Sequence, residues 1–264
     1  MDLPRRHFSK MTADEVLAAK KGGWICVLPL GATEQHGPHL PLQTDTIIAE
    51  GFAARAIAFA PENLPVTFLP AEPIGYSPEH MEFAGGKTLA FDEAVERWVG
   101  IGANVAARGI RKFVMLNAHG GNSPLMTVVA TELRIRHSIL AVATSWTRFA
   151  QPEGLISANE KAFGIHGGLA ETSIMLALRP ELVDMAKAKD FSSAQQEFAK
   201  TFSHLRAYGP HAFGWKMSDL SREGVTGNAA AASAELGNAL LNNAARGFIE
   251  LLEDVDRFDL ERLV

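Results

Sequence analysis

The chain has 264 residues, 47% hydrophobic and 21% charged, with 25 Lys and Arg against 30 Asp and Glu for a net charge of −5. This globular composition excludes disorder, and the longest apolar run, Gly22 to Ala32, is far short of the ~18 residues that span a bilayer. A single cysteine, Cys26, excludes an intrachain disulfide and every zinc ribbon or finger, and the scattered Lys and Arg make no stripe for nucleic acid.

The opening Met1-Asp2-Leu3-Pro4-Arg5-Arg6-His7 has no apolar stretch behind its basic pair, so it does not read as a secretory signal, and a cytoplasmic location is expected. Thr12-Ala13-Asp14-Glu15 has capping-box spacing and predicts a short helix to about Lys21, stopped by Gly22-Gly23. Trp24 to Leu30 reads as a strand apolar on both faces, with Cys26 a buried small hydrophobe. Thr44 to Ala60 has helical spacing, with Ile47, Ile48, Phe52, Ala56 and Phe59 on one side, and Pro61 ends it. Val66 to Leu69 is a short strand, and Asp92 to Arg108 a helix with Gly109 just past its end. Lys112 to Asn117 is a strand, and Ser123-Pro124 predicts a helix to His137 with Ser at the cap. A strand over Ile139 to Ala143 and helices over Ala170 to Leu178, Ala194 to His204 and Ala229 to Glu253 complete the reading. This alternation predicts an α/β protein, a central mostly parallel sheet covered by helices on both faces. No composition break or repeat divides residues 1–264, so a single domain is expected; Lys187 to Asn228 is the least regular stretch and reads as a peripheral excursion, whose Phe213 and Trp215 fit either the pocket or a subunit interface.

Three segments carry chemistry. Gly31-Ala32-Thr33-Glu34-Gln35-His36-Gly37-Pro38-His39-Leu40-Pro41-Leu42-Gln43-Thr44-Asp45 begins where the first strand ends, the edge where parallel α/β sheets bind ligands. Glu34 and His36, two apart, point the same way in extended chain, and the Gly/Pro turn can return Asp45 towards them. A carboxylate, an imidazole and a second carboxylate there suit a divalent cation such as Zn²⁺ or Mn²⁺. Asn117-Ala118-His119-Gly120-Gly121-Asn122 also follows a strand, with His119 over the same edge and Gly120 and Gly121 open to close approach by backbone N–H groups or substrate; taken alone, this junction equally fits an anion-binding turn. In Gly164-Ile165-His166-Gly167-Gly168-Leu169-Ala170-Glu171, Glu171 sits near the start of an apolar helix, where it needs the helix N-terminus or a cation as partner. His39 in extended chain faces away from His36 and reads as structural. Gly86-Lys87-Thr88 is no phosphate loop, because the position five before Gly86 is Met81.

Together these motifs closely resemble the creatininase family of metal-dependent amidohydrolases, with Tyr76 to Gly85 similar to that family's central loop. The resemblance runs from about Ser9 to Pro180 and is weak beyond. It implies a three-layer α/β/α sandwich, a homohexamer, and two divalent metal ions per chain, Zn or Mn, with Fe possible. Carried over by motif, it implies that Glu34 and His119 hold one metal and His36 the other, with Asp45 bridging. Creatininases proper have a Glu two residues after the motif His; here that position is Gly121, and we read Glu171 as supplying the missing carboxylate. They also carry a Trp four residues before the later His, where this chain has Ala162, which argues against creatinine itself. The expected reaction is hydrolysis of a C–N bond in a cyclic amide, formamide or related small molecule by activated water. His166 is the expected general acid/base beside Glu34, and His80 of the central loop is expected at the substrate. The alternatives are a peptidase-like or lactone-hydrolysing relative, or a non-catalytic α/β module that binds a small ligand.

Overall fold

A computed structural model of the chain describes residues 3–19, 23–149, 152 and 154–263. In chain order the elements are α1 (Ala13–Leu17), β1 (Ile25–Leu30), α2 (Thr44–Phe59), β2 (Val66–Phe68), α3 (Phe91–Ala107), β3 (Lys112–Asn117), α4 (Ser123–His137), β4 (Leu140–Ser145), α5 (Ala158–Phe163), α6 (Leu169–Leu178), β5 (Asp190–Phe191), α7 (Gln195–Thr201), α8 (Met217–Leu220), β6 (Gly227–Asn228) and α9 (Ala234–Arg257). The predicted capping box forms at α1, where Thr12 Oγ1 accepts from the Glu15 N–H and Glu15 Oε2 accepts from the Thr12 N–H. The predicted end of that helix and its Gly22 stop lie outside the described residues.

The sheet has the order β2-β1-β3-β4, and every pairing is parallel. All six residues of β1 are buried, because side chains on alternate sides of a parallel strand enter two different cores. Ile25 and Val27 join Val66, Val114 and Leu116 beneath α2, α6 and α9. Cys26, Leu28 and Leu30 join Phe113 and Met115 beneath α3 and α4. The result is the expected three-layer sandwich. The Cys26 thiol is fully buried, and burial pushes its pKa up, so it is an inert packing group. Leu30, Asn117 and Ser145 share a register, so β1, β3 and β4 end level and release their loops at one edge.

Some element ends differ from the sequence reading. Ser123 is the first residue of α4 and not its cap; the Asn122 side chain at the cap position is taken up by Gly31 and Asn117. α7 stops at Thr201, and Ala229 to Ala231 form a separate 3₁₀ turn before α9, which Ser233 caps by accepting from the Leu236 N–H. The Lys187 to Asn228 stretch returns to the body of the protein. β5 pairs antiparallel with β6, and Met217 and Leu220 of α8 pack with Phe83 and Ile165 on the loops at the sheet edge. Among the described residues no helix is long and apolar enough to cross a membrane.

Candidate metal centre

The segment leaving β1 is held against the start of α2. A Cβ at Gly31 would lie 2.7 Å from Thr46 Cα, so only glycine lets α2 pack this close and carry Asp45 to the sheet edge. The Glu34 N–H donates to Leu42 O (2.9 Å) and the Thr44 N–H to Pro41 O (3.2 Å), closing the predicted turn. Beyond β3, the Ala118 N–H donates to Leu30 O and the His119 N–H to Asn117 Oδ1. Asn122 ties three segments together: Nδ2 donates to Gly31 O, and Oδ1 accepts from the Tyr76 N–H.

These loops bring Glu34, His36, Asp45, His119, Glu171 and His166 into one cluster. His119 Nδ1 lies 3.2 Å from Glu34 Oε1 and 3.3 Å from Asp45 Oδ2. His36 Nε2 lies 3.3 Å from Asp45 Oδ1, 3.8 Å from Glu171 Oε2 and 4.0 Å from Glu34 Oε1. Three donor sets have all their ligand atoms within 4.8 Å of one another: Glu34, Asp45 and His119; His36, Asp45 and Glu171; and Glu34, His36 and His166. Asp45 belongs to the first two sets, which puts it between the others, as a bridging carboxylate must be.

Each imidazole is oriented through its far nitrogen. His36 Nδ1–H donates to Glu34 O (3.1 Å), His119 Nε2–H to Tyr76 O (3.0 Å) and His166 Nε2–H to Gln35 O (2.7 Å). In all three the backbone occupies the far nitrogen, so the nitrogen facing the cluster is the one that is bare in the neutral imidazole, the tautomer a metal ligand or a base requires. His80 is turned the other way. Its Nδ1 accepts from Gln35 Nε2 (3.0 Å), so its Nε2–H faces Glu34 Oε1 at 3.4 Å. Ser77 donates its hydroxyl to Glu34 Oε2.

The donor set fits a cation. Glu34, Asp45 and Glu171 bring three carboxylates together, and among the described residues every ion-pair partner they have is a histidine. Glu34 Oε1 and Asp45 Oδ2 are buried with no hydrogen-bond partner, an expensive arrangement unless something else binds them. Burial opposes charge on His36, but Asp45, Glu171 and Glu34 outweigh it and raise its pKa to about 9. His119 is likewise raised well above the ordinary imidazole range by Glu34 and Asp45, against burial. Burial would raise the Asp45 carboxyl, yet His36 and His119 hold it well below the usual range. Burial, reinforced by Asp45 and Glu34, pushes Glu171 up to about 7 despite His36. Burial and the neighbouring His36 and His80 push His166 well below its ordinary value. Without cations the cluster therefore holds protons on His36 and His119, and a metal must displace them.

Beside the cluster lies a cavity of about 620 Å³, lined among others by His119, Gly120 and Glu171, by the apolar Trp146, Phe149, Ile156 and Ile165, and by Arg148 and Lys161. Gly120 is thus part of the cavity wall. Gly121 instead backs onto Tyr76 O and Glu79 Oε1, which would lie 2.4 and 2.6 Å from its Cβ, so the Glu79 carboxylate fills the space a side chain there would need. His80 lies against Glu34, with Nε2 3.4 Å from Oε1, and is not among the cavity's lining residues. His39 faces away, as expected: its Nε2 bonds Thr172 Oγ1 (2.8 Å) and its ring stacks on Phe191. Ala162 is exposed, and its carbonyl accepts from Tyr208 OH (2.7 Å), so no indole covers the cavity from that position. Gln35, Ser77, Glu79 and Asn122 were missed in the sequence. They are ordinary polar residues inside or near the motifs, and only their long-range contacts give them a role.

The profile of the creatinine amidohydrolase family matches residues 9–252. A mycofactocin precursor peptide peptidase of Mycobacterium tuberculosis is 36% identical over 160 residues, a match that spans only 58% of either chain. The corresponding peptidase of Mycobacterium ulcerans is 30% identical over 238 residues, covering 88% of this chain and 83% of the relative. The creatinine amidohydrolase of Pseudomonas putida is 28% identical over 194 residues, 66% of this chain and 71% of the relative. Among solved structures, a creatininase variant complexed with creatine superposes with a TM-score of 0.78 at 25% identity, covering 96% of this chain and 99% of that one. A family match across nearly the whole chain, the same fold, and buried His, Glu and Asp donors grouped as in a two-metal site lead to one conclusion: the chain belongs to the creatininase family of hydrolases.

Proposed function

We propose that the protein is a two-metal amidohydrolase whose substrate is larger than creatinine and peptide-like. Glu34, Asp45 and His119 would hold one cation and His36, Asp45 and Glu171 the other, a set of N and O donors suited to Zn²⁺ or Mn²⁺ and open to Fe²⁺. Bound there, two cations would supply an acidified water and Lewis acidity for the scissile carbonyl. His166 keeps its proton at Nε2 on Gln35 O, so Nδ1 is free to take a proton from the attacking water and return it to the leaving nitrogen. Gln35, which also engages His80, fixes the carbonyl that sets this tautomer. Glu34 serves both as a donor and as the carboxylate facing His166 Nδ1 at 3.6 Å.

The observation that carries the peptide-like reading is the cavity. At about 620 Å³ it falls within the ~300–1,000 Å³ of pockets for drug-sized ligands, ample for a short stretch of chain and far more than a single small ring fills. Its apolar wall of Phe149, Ile156 and Ile165 suits a hydrophobic side chain, while Arg148 and Lys161 suit a carboxylate. The similarity to peptidases in two mycobacteria supports the same choice over a cyclic amide or formamide. A homohexamer, implied by the family resemblance, belongs to this reading and is checked by analytical ultracentrifugation.

Elemental analysis of gently purified protein should give about two equivalents of transition metal per chain. The loaded protein should hydrolyse peptides ending in apolar residues in preference to creatinine, formamides and lactones. C-terminal amidation of the peptide, or Arg148→Ala with Lys161→Ala, should raise KM. Turnover of creatinine or a lactone with no peptide cleavage would overturn the choice of substrate, and a metal-free protein that only binds ligand would overturn the enzyme.

A further inference from the structure

Glu160 in α5 has no part in the scheme above, yet it is 6% exposed and borders the cavity. No ion pair reaches its carboxylate among the described residues. Its charge is met instead by backbone: Oε1 accepts from the Leu169 N–H (2.8 Å) and Oε2 from the Asn228 N–H (3.0 Å). The first of these donors belongs to the opening turn of the ten-residue α6, where orphan N–H groups and the helix dipole favour an anion. The carboxylate is enclosed by three glycines from three segments. A Cβ at Gly164, Gly168 or Gly227 would come within 2.1, 2.7 or 2.4 Å of Oε1.

Those contacts surround the two cluster residues contributed by this part of the chain. His166 lies between Gly164 and Gly168, and its carbonyl accepts from the Thr226 N–H (2.9 Å), next to the Gly227-Asn228 strand that Glu160 holds. Glu171 follows Leu169 in the same helical turn, and its Oε2 accepts from the Gly167 N–H (2.7 Å). One carboxylate thus fastens the far end of the His166 loop, the start of α6 and the returning strand β6.

We propose that Glu160 is a positioning residue: it clamps the His166–Glu171 segment between α5 and β6 and so sets where His166 Nδ1 and the Glu171 carboxylate stand relative to Glu34, His36 and Asp45. This rests on the two-metal reading of the site. Hydrogen-bonded groups behind metal ligands are typically worth about 10- to 100-fold in metal affinity or activity. Glu160→Gln keeps the volume but places an NH₂ group against one of the two N–H donors, releasing half the clamp.

The test titrates metal into chelator-treated protein against a competing chelator, with Co²⁺ absorption as a second signal, and follows with kinetics. For Glu160→Gln the expected result is one of the two equivalents weakened by about tenfold with the other unchanged. A kcat lowered by about tenfold at unchanged KM and a single cooperative unfolding transition are expected with it. Gly164→Ala, whose new methyl displaces the same carboxylate, should reproduce the pattern and serves if the first variant does not fold. Two unaltered metal affinities with unaltered kcat would overturn the clamp. So would a raised KM with both metals retained, which would make Glu160 a substrate contact. A parent protein that takes up no metal would overturn the two-metal reading itself, an outcome separate from a clamp that fails in a metal-binding parent.

Discussion

The metal-free cluster should make the protein less stable in mild alkali. His36 has its pKa raised from 6.5 to about 9 in the folded state, against burial, by Asp45, Glu171 and Glu34. A raised histidine stabilises the fold fully below its unfolded value, and that contribution is lost as pH climbs through the folded value. At about 1.4 kcal/mol per tenfold, the interval from 6.5 to about 9 corresponds to about 3 kcal/mol. His119, raised as well, acts in the same direction. Glu171, raised from 4.5 to about 7, also loses stability with rising pH, mostly below neutrality. His80 and His39, both lowered to about 4, work the opposite way, but only between about pH 4 and 6.5. Above 6.5 the histidines that still act are the raised ones, His36 and His119. Urea unfolding of chelator-treated protein at pH 6.5 and 9 should therefore show a fall of about 3 kcal/mol. Protein reloaded with metal, in which His36 and His119 have already given up their protons, should stay flat, and His36→Asn should remove most of the slope. Metal-free protein equally stable, or more stable, at pH 9 would refute the electrostatic account of the cluster.

Three further outcomes follow from the geometry. Glu34→Gln removes the carboxylate on which His119, His80 and His166 converge, and should cut metal content to about one equivalent or less and abolish turnover with far-UV circular dichroism unchanged. His166→Ala should keep both metals and lower kcat by about 10²- to 10⁴-fold, as removal of a general acid/base does; loss of metal instead would move His166 among the ligands. Phe52→Ala, in the α2–α9 layer where Phe52 packs edge-on against Phe248 at 5.7 Å, should cost about 3–5 kcal/mol in urea unfolding and leave metal stoichiometry unaltered.

Much of the architecture was legible along the chain because it repeats locally. β1 and β3 announce themselves as buried strands by being apolar on both faces, and they feed two cores in alternation. The candidate ligands were visible as residue types that rarely crowd a Gly/Pro-shaped strand exit without a reason. What surrounds them was not. The His166–Gln35 bond spans 131 residues and the Glu160–Asn228 bond 68, and no periodicity encodes such pairs. Glu160 reads in sequence as one more surface acid of a short helix, and the Lys187 to Asn228 stretch as an excursion, until β6 is seen to return beside His166.

Local chemistry decides which residues are able to bind a cation and which segments become strand or helix, since both depend on side-chain type and on neighbours within a turn or a pleat. Three-dimensional packing decides the rest: which nitrogen of each imidazole faces the carboxylates, that Gly121 yields its space to Glu79, and that His80 packs against Glu34. Those outcomes are set by hydrogen bonds to backbone groups of distant segments, and such partners come within reach only after the sheet has brought its strand ends level.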